Sequence, residues 1–268
     1  MNKIEKTRTE SIVDFLADYE DIAKRKRLNL FPDNDYYTYA PGETITVAAT
    51  SGIGKTTIAI SIIVEQIKNG RKVAYFSFEE HPGLIIKRML SGGLELQEIL
   101  ENFWVFDATN NMQLGDVLEN QMQEIADSGY DLIVIDQLSL IEEAGAREMR
   151  DVFVKWQMRM ITFMTRNKIA LLQISQLNRA TYQQNLPTVA NISESNRINE
   201  NSKLTILLDA DQNNDKEFNG DVLRMFKVIT AKSKYLKGVN KHFIFSVLLG
   251  SAKIITQTEV TYKELEGD

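Results

Sequence analysis

The stretch VAATSGIGKTTIAISIIVEQI, residues 47–67, says most about the fold because it joins a strand-like apolar run to a helix through a glycine-containing loop. At such a junction, backbone N–H groups of the loop and the N-terminus of the helix hold phosphate oxygens. Lys55 is placed to neutralise the β- and γ-phosphates of ATP, and the Thr56 hydroxyl is placed to ligate Mg²⁺. The pattern therefore predicts a nucleotide site formed by Ser51, Gly52, Ile53, Gly54, Lys55, Thr56 and Thr57.

Ala49 breaks the usual pattern of such loops, G-x4-G-K-[ST], because the first glycine of that pattern would stand at this position. Taken alone, a G-K-T run after a strand also arises by chance. Alanine is small enough to leave the loop intact, so the departure weakens the prediction without cancelling it. Support for the nucleotide site has to come from elsewhere in the chain.

The composition is ordinary for a soluble globular protein and excludes several kinds of site. Of the 268 residues, 43% are hydrophobic and 25% are charged. Cysteine is absent and the histidines are His81 and His242 alone, which excludes disulfides, thiolate zinc sites and histidine metal clusters. No run approaches the roughly 18 apolar residues of a membrane span, and the first residues lack the apolar core of a signal peptide. We therefore expect a cytoplasmic protein that does not contact membranes.

The net charge of the chain is negative, at −6, and its isoelectric point is near 5.2. These values argue against a broad basic surface that wraps duplex DNA. A narrow pore or loop that grips a single strand is compatible with them, because such a site is local.

Short apolar runs alternate with helical patterns through most of the chain. We predict strands at 44–49, 73–78, 132–135, 169–175, 204–208, 222–230, 243–248 and 254–255. Helices are predicted at 55–69, 83–91, 113–127 and 148–166. The alternation favours an α/β fold with a mostly parallel twisted sheet buried on both faces. The last strands, joined by short polar turns, predict an antiparallel extension at the C-terminal end.

An amphipathic helix is predicted ahead of the main domain, at residues 11–23. Its apolar stripe consists of Ile12, Phe15, Leu16, Tyr19 and Ile22. A turn-rich segment follows, so we expect residues 1–29 to form a linker helix and tether, and residues 30–268 to form the main domain. The helix either docks on another subunit or folds back on its own domain.

Polar residues at the ends of three further predicted strands match the needs of a nucleoside triphosphatase. Asp136 ends the buried run LIVID, where ligands bind in open α/β sheets, and would hold Mg²⁺ through water. Glu79 follows the strand at 73–78 and would polarise the attacking water. Gln176, at the end of the strand at 169–175, would bind the γ-phosphate. Each also has an ordinary structural interpretation, as a helix cap, a solvated turn or a polar strand end.

These motifs, in this order, resemble the C-terminal RecA-like motor domain of DnaB-type replicative helicases. ATSGIGKT (49–56) fits the A-x4-GKT loop often found in that family, which accounts for Ala49. VAYFSFEE (73–80) is similar to the family's F-S-L-E strand, and LIVIDQLSLI (132–141) to L-I-V-I-D-Y-L-Q-L. ISQLNRA (174–180) matches L-S-Q-L-N-R-A. The resemblance implies an ATP hydrolase that needs Mg²⁺, with Glu79 as the catalytic acid and Gln176 as the γ-phosphate sensor.

The resemblance also implies a ring, usually of six subunits, with ATP bound between neighbours. ITAKSKYLKG (229–238) is similar to the family's I-x-x-K-Q-R-N-G segment, so Lys232 and Lys234 would reach the γ-phosphate of the adjacent subunit. Lys234 stands where the family has arginine, and lysine lacks the planar fork of a guanidinium. Arg179 and Arg197 are candidates for contact with the DNA backbone. Such basic residues otherwise simply face water.

The function that the resemblance implies is a helicase that moves 5′ to 3′ on single-stranded or forked DNA, with a helicase loader or a primase as possible partners. We expect a compact version of the motor, without the family's N-terminal domain, from a bacterial or phage-infected cell. Two alternatives stay open: a RecA-like recombinase or single-strand-annealing ATPase, and a KaiC-like regulatory or scaffolding ATPase.

Overall fold

A ten-stranded sheet organises the residues that the computed structural model describes, which are 27–107, 115–137, 149–178, 181, 185–192, 196–233 and 241–266. The strands are β1 (Leu28–Asn29), β2 (Thr38–Tyr39), β3 (Thr44–Ala49), β4 (Val73–Ser77), β5 (Phe103–Asp107), β6 (Leu132–Asp136), β7 (Ala170–Gln176), β8 (Leu204–Asp209), β9 (Lys216–Phe218), β10 (Asp221–Ser233), β11 (His242–Leu248) and β12 (Lys253–Val260). Strands β1 and β2 form a separate two-stranded sheet, and the others belong to the large one.

Helices connect most of the parallel strands. They are α1 (Lys55–Lys68), α2 (Pro82–Ser91), α3 (Leu96–Asn102), α4 (Gly115–Asp127), α5 (Met149–Asn167), α6 (Asn196–Asn201) and α7 (Tyr262–Glu266). The predicted helices at 55–69, 83–91, 113–127 and 148–166 are confirmed as α1, α2, α4 and α5. The predicted helix at 11–23 lies outside the described residues.

The large sheet has the order β12-β11-β10-β8-β3-β7-β6-β4-β5, with β9 beside β10. The strands from β8 to β5 along this order pair in parallel. Every residue of β3, β4 and β6 is buried, as expected for parallel strands with helices on both faces. The predicted α/β fold with a mostly parallel sheet is confirmed.

Two apolar clusters cover the two faces of the sheet. One contains Ile58 and Ile62 of α1 together with alternate residues of the strands, such as Val47. The other contains Trp156 and Met160 of α5. The sheet is therefore the middle layer of a three-layer arrangement, which leaves the ends of its strands, and the loops after them, as the place for a site.

The predicted antiparallel extension is also confirmed. Strand β10 pairs with β8 and β11, and β11 pairs with β12, all antiparallel. The segment after β1 packs on this extension: the Phe31 ring lies 5.0 Å from that of Phe245 and 5.5 Å from that of Tyr37, edge to face. Leu30 and Phe31, directly after β1, have no exposed surface and belong to the hydrophobic core.

The sequence patterns missed the segment that holds α3 and β5. Strand β5 is the edge of the sheet, paired with β4 alone among the described strands. Its residues are partly exposed on both faces, so the run FWVFD has neither the alternation of a half-buried strand nor the fully apolar character of a central one. Tertiary pairing with β4, register Val73 to Phe103, decides its conformation.

Candidate nucleotide-binding site

The loop between β3 and α1 depends on two glycines. Gly52 has a φ of 77° and Gly54 a φ of 114°, values that side-chain-bearing residues rarely adopt. At Gly54 a Cβ atom would also lie 2.9 Å from Cζ of Phe226. The backbone of the predicted nucleotide loop therefore requires both glycines, and packing against Phe226 of β10 also requires Gly54.

Ala49 does not need the conformational freedom of glycine. It is a fully buried residue at the end of β3, where it pairs with Gln176 of β7 and Leu208 of β8. Its carbonyl oxygen accepts a hydrogen bond from the Leu177 N–H at 2.9 Å. Because this position belongs to a strand with neighbours on both sides, a small residue is sufficient and alanine leaves the loop undisturbed.

A polar cavity of about 270 Å³ lies at this loop. It is lined by residues that the sequence predicted, namely Gly52, Gly54, Lys55, Thr56, Thr57 and Glu79. Of the other two predicted loop residues, Ser51 is exposed and the Ile53 side chain is buried in the hydrophobic core. Helix α1 presents its N-terminus here with no acidic residue in the first turn, so its dipole favours an anionic ligand.

Asp136 lies at the end of β6, 1% exposed, and is held from one side. Its Oδ2 accepts hydrogen bonds from the Thr56 hydroxyl at 2.8 Å and from the Tyr75 hydroxyl at 2.7 Å. Among the described residues, no group forms a hydrogen bond with its buried Oδ1. Burial raises the pKa of Asp136 above its ordinary value, although the bonds from Tyr75 and Thr56 oppose the shift. A buried, unpartnered carboxylate oxygen indicates a site for a cation or water.

The carboxylates after β4 have different partners. Glu79 is exposed at the cavity, whereas Glu80 forms an ion pair with Arg88 of α2, with 3.1 Å between Oε2 and Nη1. The Phe78 N–H donates to the Asp136 carbonyl at 2.8 Å, which ties the end of β4 to the end of β6. Glu79 and Asp136 are thus brought to one edge of the sheet, as predicted.

Gln176 ends β7 at the same edge, directly beside Ala49 of β3. It is half-buried and does not line the cavity. Since β7 lies between β3 and β6 in the sheet, Gln176 stands between the nucleotide loop and the strand of Asp136. Its role as a γ-phosphate sensor stays a prediction.

The remaining predicted residues either lie away from the cavity or are not among the residues that the structure describes. Arg179 and Lys234 are not among the described residues, and Arg197 is described only as part of helix α6. Lys232 of β10 donates hydrogen bonds to the carbonyls of Asn199 and, at 2.9 Å, of Glu200, near the end of α6. It pairs with Thr205 near the start of β8, so it is displaced from the edge where the cavity opens.

Sequence reasoning missed Arg224, which clamps the nucleotide loop. Its Nη1 donates to the carbonyls of Gly52 at 3.2 Å and Ile53 at 2.8 Å. Its Nε and Nη2 bind the two carboxylate oxygens of Asp215 at 2.8 and 2.5 Å. We call Arg224 and Asp215 the loop clamp. No sequence signal marks it, because its two residues come from the antiparallel extension and meet the loop only in the folded chain.

Two more residues of the cavity lining and one behind Asp136 were missed. Arg88 and Leu249 line it, and Tyr75 contacts Asp136 from beneath. Arg88 follows Glu79 on the next predicted helix, so a helical projection would have placed it near the carboxylates. Tyr75 is the polar-tipped residue in the buried run VAYFS, and its hydroxyl needs a partner there. Burial raises the pKa of that hydroxyl well above its ordinary value, so it remains a donor.

A second, larger groove does not have the chemistry of a nucleotide site. Its volume is about 490 Å³ and it lies between α4 and α5, lined by Met122, Met158 and Phe163 among others. The described residues of its lining include two arginines but no carboxylate and no glycine loop.

Among the described helices, none is long and apolar enough to pass through a bilayer.

A sequence profile of the family described as "ATPase: KaiC" matches residues 36–247. The chain is 26% identical over 219 residues to the replicative DNA helicase DnaB of Geobacillus stearothermophilus, covering 72% of this chain and 48% of that protein. It is 29% identical over 147 residues to the circadian clock protein KaiC2 of Synechocystis sp., covering 53% of this chain and 25% of that protein. The chain therefore spans half or less of the length of these curated relatives.

Two solved structures share the fold. One is an isolated ATPase domain, which superimposes with a TM-score of 0.73 at 18% identity, covering 94% of this chain and 99% of that one. The other is a DnaB-like replicative helicase, whose structure is described together with its interactions with primase. It gives a TM-score of 0.71 at 19% identity, covering 94% and 67%. The predicted RecA-like fold and the resemblance to DnaB-type motor domains are confirmed.

Proposed function

The chain belongs to the KaiC family of ATPases, and from that premise we propose that it is an ATP-driven motor that moves along single-stranded DNA and separates the strands of a duplex. The observation that carries the proposal is one cavity that brings together Lys55, Glu79 and the Thr56 hydroxyl bonded to Asp136. The similarity to a replicative DNA helicase supports DNA as the track.

In the proposed reaction, a water oxygen attacks the γ-phosphorus of ATP, and the bond to the β–γ bridging oxygen breaks to release ADP and phosphate. Glu79, exposed at the cavity, polarises that water and accepts its proton. Lys55 and the N-terminus of α1 neutralise the phosphate oxygens. Gln176 binds the γ-phosphate and passes its loss to the segment that follows β7. Catalysis consists mainly of positioning and charge neutralisation.

The residues at the loop fit a magnesium ion that accompanies the nucleotide. Thr56 would supply a hydroxyl oxygen, and Asp136 would hold the ion through water at its buried Oδ1, which has no hydrogen-bond partner among the described residues. Mg²⁺ prefers oxygen ligands and keeps several waters, so one or two protein groups suffice. The described residues contain no group of three or more His, Cys, Asp or Glu side chains able to hold a metal ion, so waters and phosphate oxygens would complete the ligands. When bound, magnesium neutralises the charge on the β- and γ-phosphates.

We further propose that the subunits form a ring in which neighbouring copies share each site. Lys232 lies away from the cavity of its own chain, so its proposed action on phosphate takes place in the site of an adjacent copy, together with Lys234.

Mixing two kinds of inactive subunit tests the shared site. One kind carries Lys55→Ala, and the other carries Lys232→Ala together with Lys234→Ala. Recovery of ATP hydrolysis in the mixture is expected, because some interfaces then combine two intact halves. A mixture no more active than its two components would contradict sites shared between copies.

We assign contacts with DNA to the segments that follow β6 and β7. Arg179 and Arg197 belong to the second of these and would hold the phosphate backbone, helped by main-chain N–H groups. A few such contacts in a central pore are compatible with the net charge of −6. By analogy with DnaB-type helicases, we also propose that the ring is hexameric and that it moves 5′ to 3′. The same analogy suggests a helicase loader or a primase as a partner.

Steady-state ATP hydrolysis with and without single-stranded DNA tests the proposed function, with Lys55→Ala as the blank. We expect DNA to stimulate turnover and the stimulation to vanish in the variant. Strand separation is then measured on a forked duplex. ATP hydrolysis that is indifferent to DNA would contradict a DNA motor.

The second candidate function is a regulatory or scaffolding ATPase that acts on protein clients. The family match and the similarity to KaiC2 favour it. It predicts slow hydrolysis that DNA does not change, so the same assay separates the two candidates.

A further inference from the structure

Tyr75 brings a hydroxyl group into the buried centre of the sheet. It lies in β4, has no exposed surface, and pairs with Val134 of β6, two residues before Asp136. Because side chains alternate along a strand, Val134 and Asp136 share one face of β6. Tyr75 on the adjacent strand is therefore the diagonal neighbour of Asp136, and its hydroxyl reaches Oδ2 at 2.7 Å.

The Asp136 carboxylate is held asymmetrically. Both hydrogen bonds, from Tyr75 and from Thr56, go to Oδ2, and Oδ1 receives none from the described residues although it is buried. A carboxylate held at one oxygen cannot turn about its Cβ–Cγ bond without breaking those bonds. The unpartnered oxygen is thus kept in a fixed place beside the nucleotide loop.

The two residues that donate to Oδ2, Thr56 and Tyr75, differ in whether they also line the nucleotide cavity. Thr56 lines the nucleotide cavity and contributes a hydroxyl to the proposed metal site. Tyr75 does not line the cavity, and its ring is enclosed by the core that contains Val73 and Val134. Because Tyr75 lies outside the cavity lining, its hydrogen bond can orient the carboxylate before the nucleotide arrives.

We propose that Tyr75 is a positioning residue of the magnesium–nucleotide site, and that its hydroxyl holds Asp136 by Oδ2 so that Oδ1 remains available to the metal. The inference rests on the proposed function, because it assumes that the site takes a nucleotide together with Mg²⁺. The competing interpretation is that Asp136 merely satisfies a buried tyrosine. On that view, removing the hydroxyl changes the stability of the fold but not the metal dependence of nucleotide binding.

Tyr75→Phe tests the inference, because it removes the hydroxyl and keeps the ring. The probe is a fluorescent ADP analogue, whose affinity is measured in EDTA and then across a Mg²⁺ titration. We expect the Mg²⁺ concentration for half-maximal tightening to rise roughly 10-fold, as when a residue behind a metal ligand is altered. Affinity in EDTA should stay within about 2-fold, because the loop and Lys55 remain intact.

Tyr39→Phe is the matched control. Tyr39 is also buried, and its hydroxyl donates to Gln66 at 2.6 Å, away from the nucleotide cavity. This variant loses one buried hydroxyl bond but should keep the wild-type response to Mg²⁺. Thermal unfolding of both variants separates an effect on stability from an effect on the metal.

A double-mutant cycle asks whether Tyr75 acts through Asp136. In an Asp136→Asn background, Tyr75→Phe should leave the Mg²⁺ titration unchanged. Three results would each overturn the inference. Tyr75→Phe could weaken binding of the ADP analogue equally with and without Mg²⁺, or it could leave the Mg²⁺ requirement unchanged. Its effect could also be undiminished in the Asp136→Asn background. If the wild-type protein itself bound the ADP analogue without any response to Mg²⁺, the magnesium part of the proposed function would fail as well.

Discussion

The parallel and antiparallel parts of the sheet contribute to the cavity in opposite ways. In the parallel part, β3, β4, β6 and β7 all end at one edge. Asp136 and Gln176 are the last residues of β6 and β7, whereas Lys55 and Glu79 follow β3 and β4. In the antiparallel part, β10 has its beginning at that edge: Arg224 binds the nucleotide loop, whereas Lys232, farther along, pairs with the start of β8.

Strand direction therefore decides which residues of a strand can reach the site. For parallel strands, the last residues of each run meet at the same edge, so a polar residue at a strand end is a site candidate. For an antiparallel strand, the end of the run leads away from that edge and the beginning approaches it. Arg224 is accordingly an unexpected member of the site, and Lys232 does not line the cavity of its own chain.

The largest effect should come from the parallel side, at Lys55. Lys55→Ala removes the ammonium that lines the cavity, and we expect the rate of ATP hydrolysis to fall by about 100-fold or more, as when a group that stabilises transition-state charge is lost. Steady-state phosphate release measures it. Lys87→Ala, at an exposed position of α2, is the control and should keep the wild-type rate. A variant at Lys55 with near-normal turnover would place catalysis elsewhere.

On the antiparallel side, Arg224→Gln should be the most damaging change. It leaves the Gly52 and Ile53 carbonyls and the Asp215 carboxylate without the guanidinium, whose side chain is 8% exposed. We expect the free energy of unfolding to fall by about 2 kcal/mol and nucleotide affinity to fall with it. Urea unfolding and binding of labelled ADP measure the two.

Lys227→Gln on the same strand is the matched control for Arg224. Its ammonium lies 4.0 Å from the Asp209 carboxylate, and both side chains are about one third exposed. Such a pair contributes little, so the change should be about 0.5 kcal/mol or less. Equal losses at the two positions would mean that the loop clamp has no special role.

The loop clamp should also make stability depend on pH in the acidic range. The hydrogen-bonded guanidinium of Arg224 lowers the pKa of Asp215 below its ordinary value, which is about 3.9 in an unfolded chain. The ionised carboxylate therefore stabilises the fold above that pH, and its contribution is lost as the pH falls through the lower folded pKa. Urea unfolding of wild type and Asp215→Asn from about pH 7 to about pH 2 should give curves that converge at the acidic end. A constant difference would contradict the clamp.

Of the changes at the nucleotide loop and its clamp, Ala49→Gly, which restores the usual loop pattern, should have the smallest effect. Ala49 is a buried strand residue with neighbours on both sides, so glycine removes one buried methyl group and adds freedom to the unfolded chain. We expect a loss of roughly 0.5–1 kcal/mol in unfolding free energy and an unchanged affinity for ADP. Markedly tighter binding would show that the alanine had constrained the loop.

Much of the fold was predictable because hydrophobic patterns report burial. The runs TITVAA and LIVID are fully buried strands, and the helices α1, α2, α4 and α5 fall where the patterns predict them. Helix α3 and strand β5 were not predicted; for β5 the reason is that an edge strand half-exposed on both faces has no clear period. The short strand β9 is fully exposed and forms only by pairing with β10.

For the site, residue type and position along the chain were enough for Lys55, Thr56, Asp136 and Glu79, since each lies at the end of a buried parallel strand or starts the helix after it. The loop clamp and the Tyr75 bond to Asp136 depend on contacts between segments distant in sequence, such as Gly52 with Arg224. Such contacts follow from strand order and direction, which hydrophobic patterns do not encode. The residues of the proposed reaction could therefore be named from the chain itself, whereas the groups that hold them in place are fixed only by the packing of its strands.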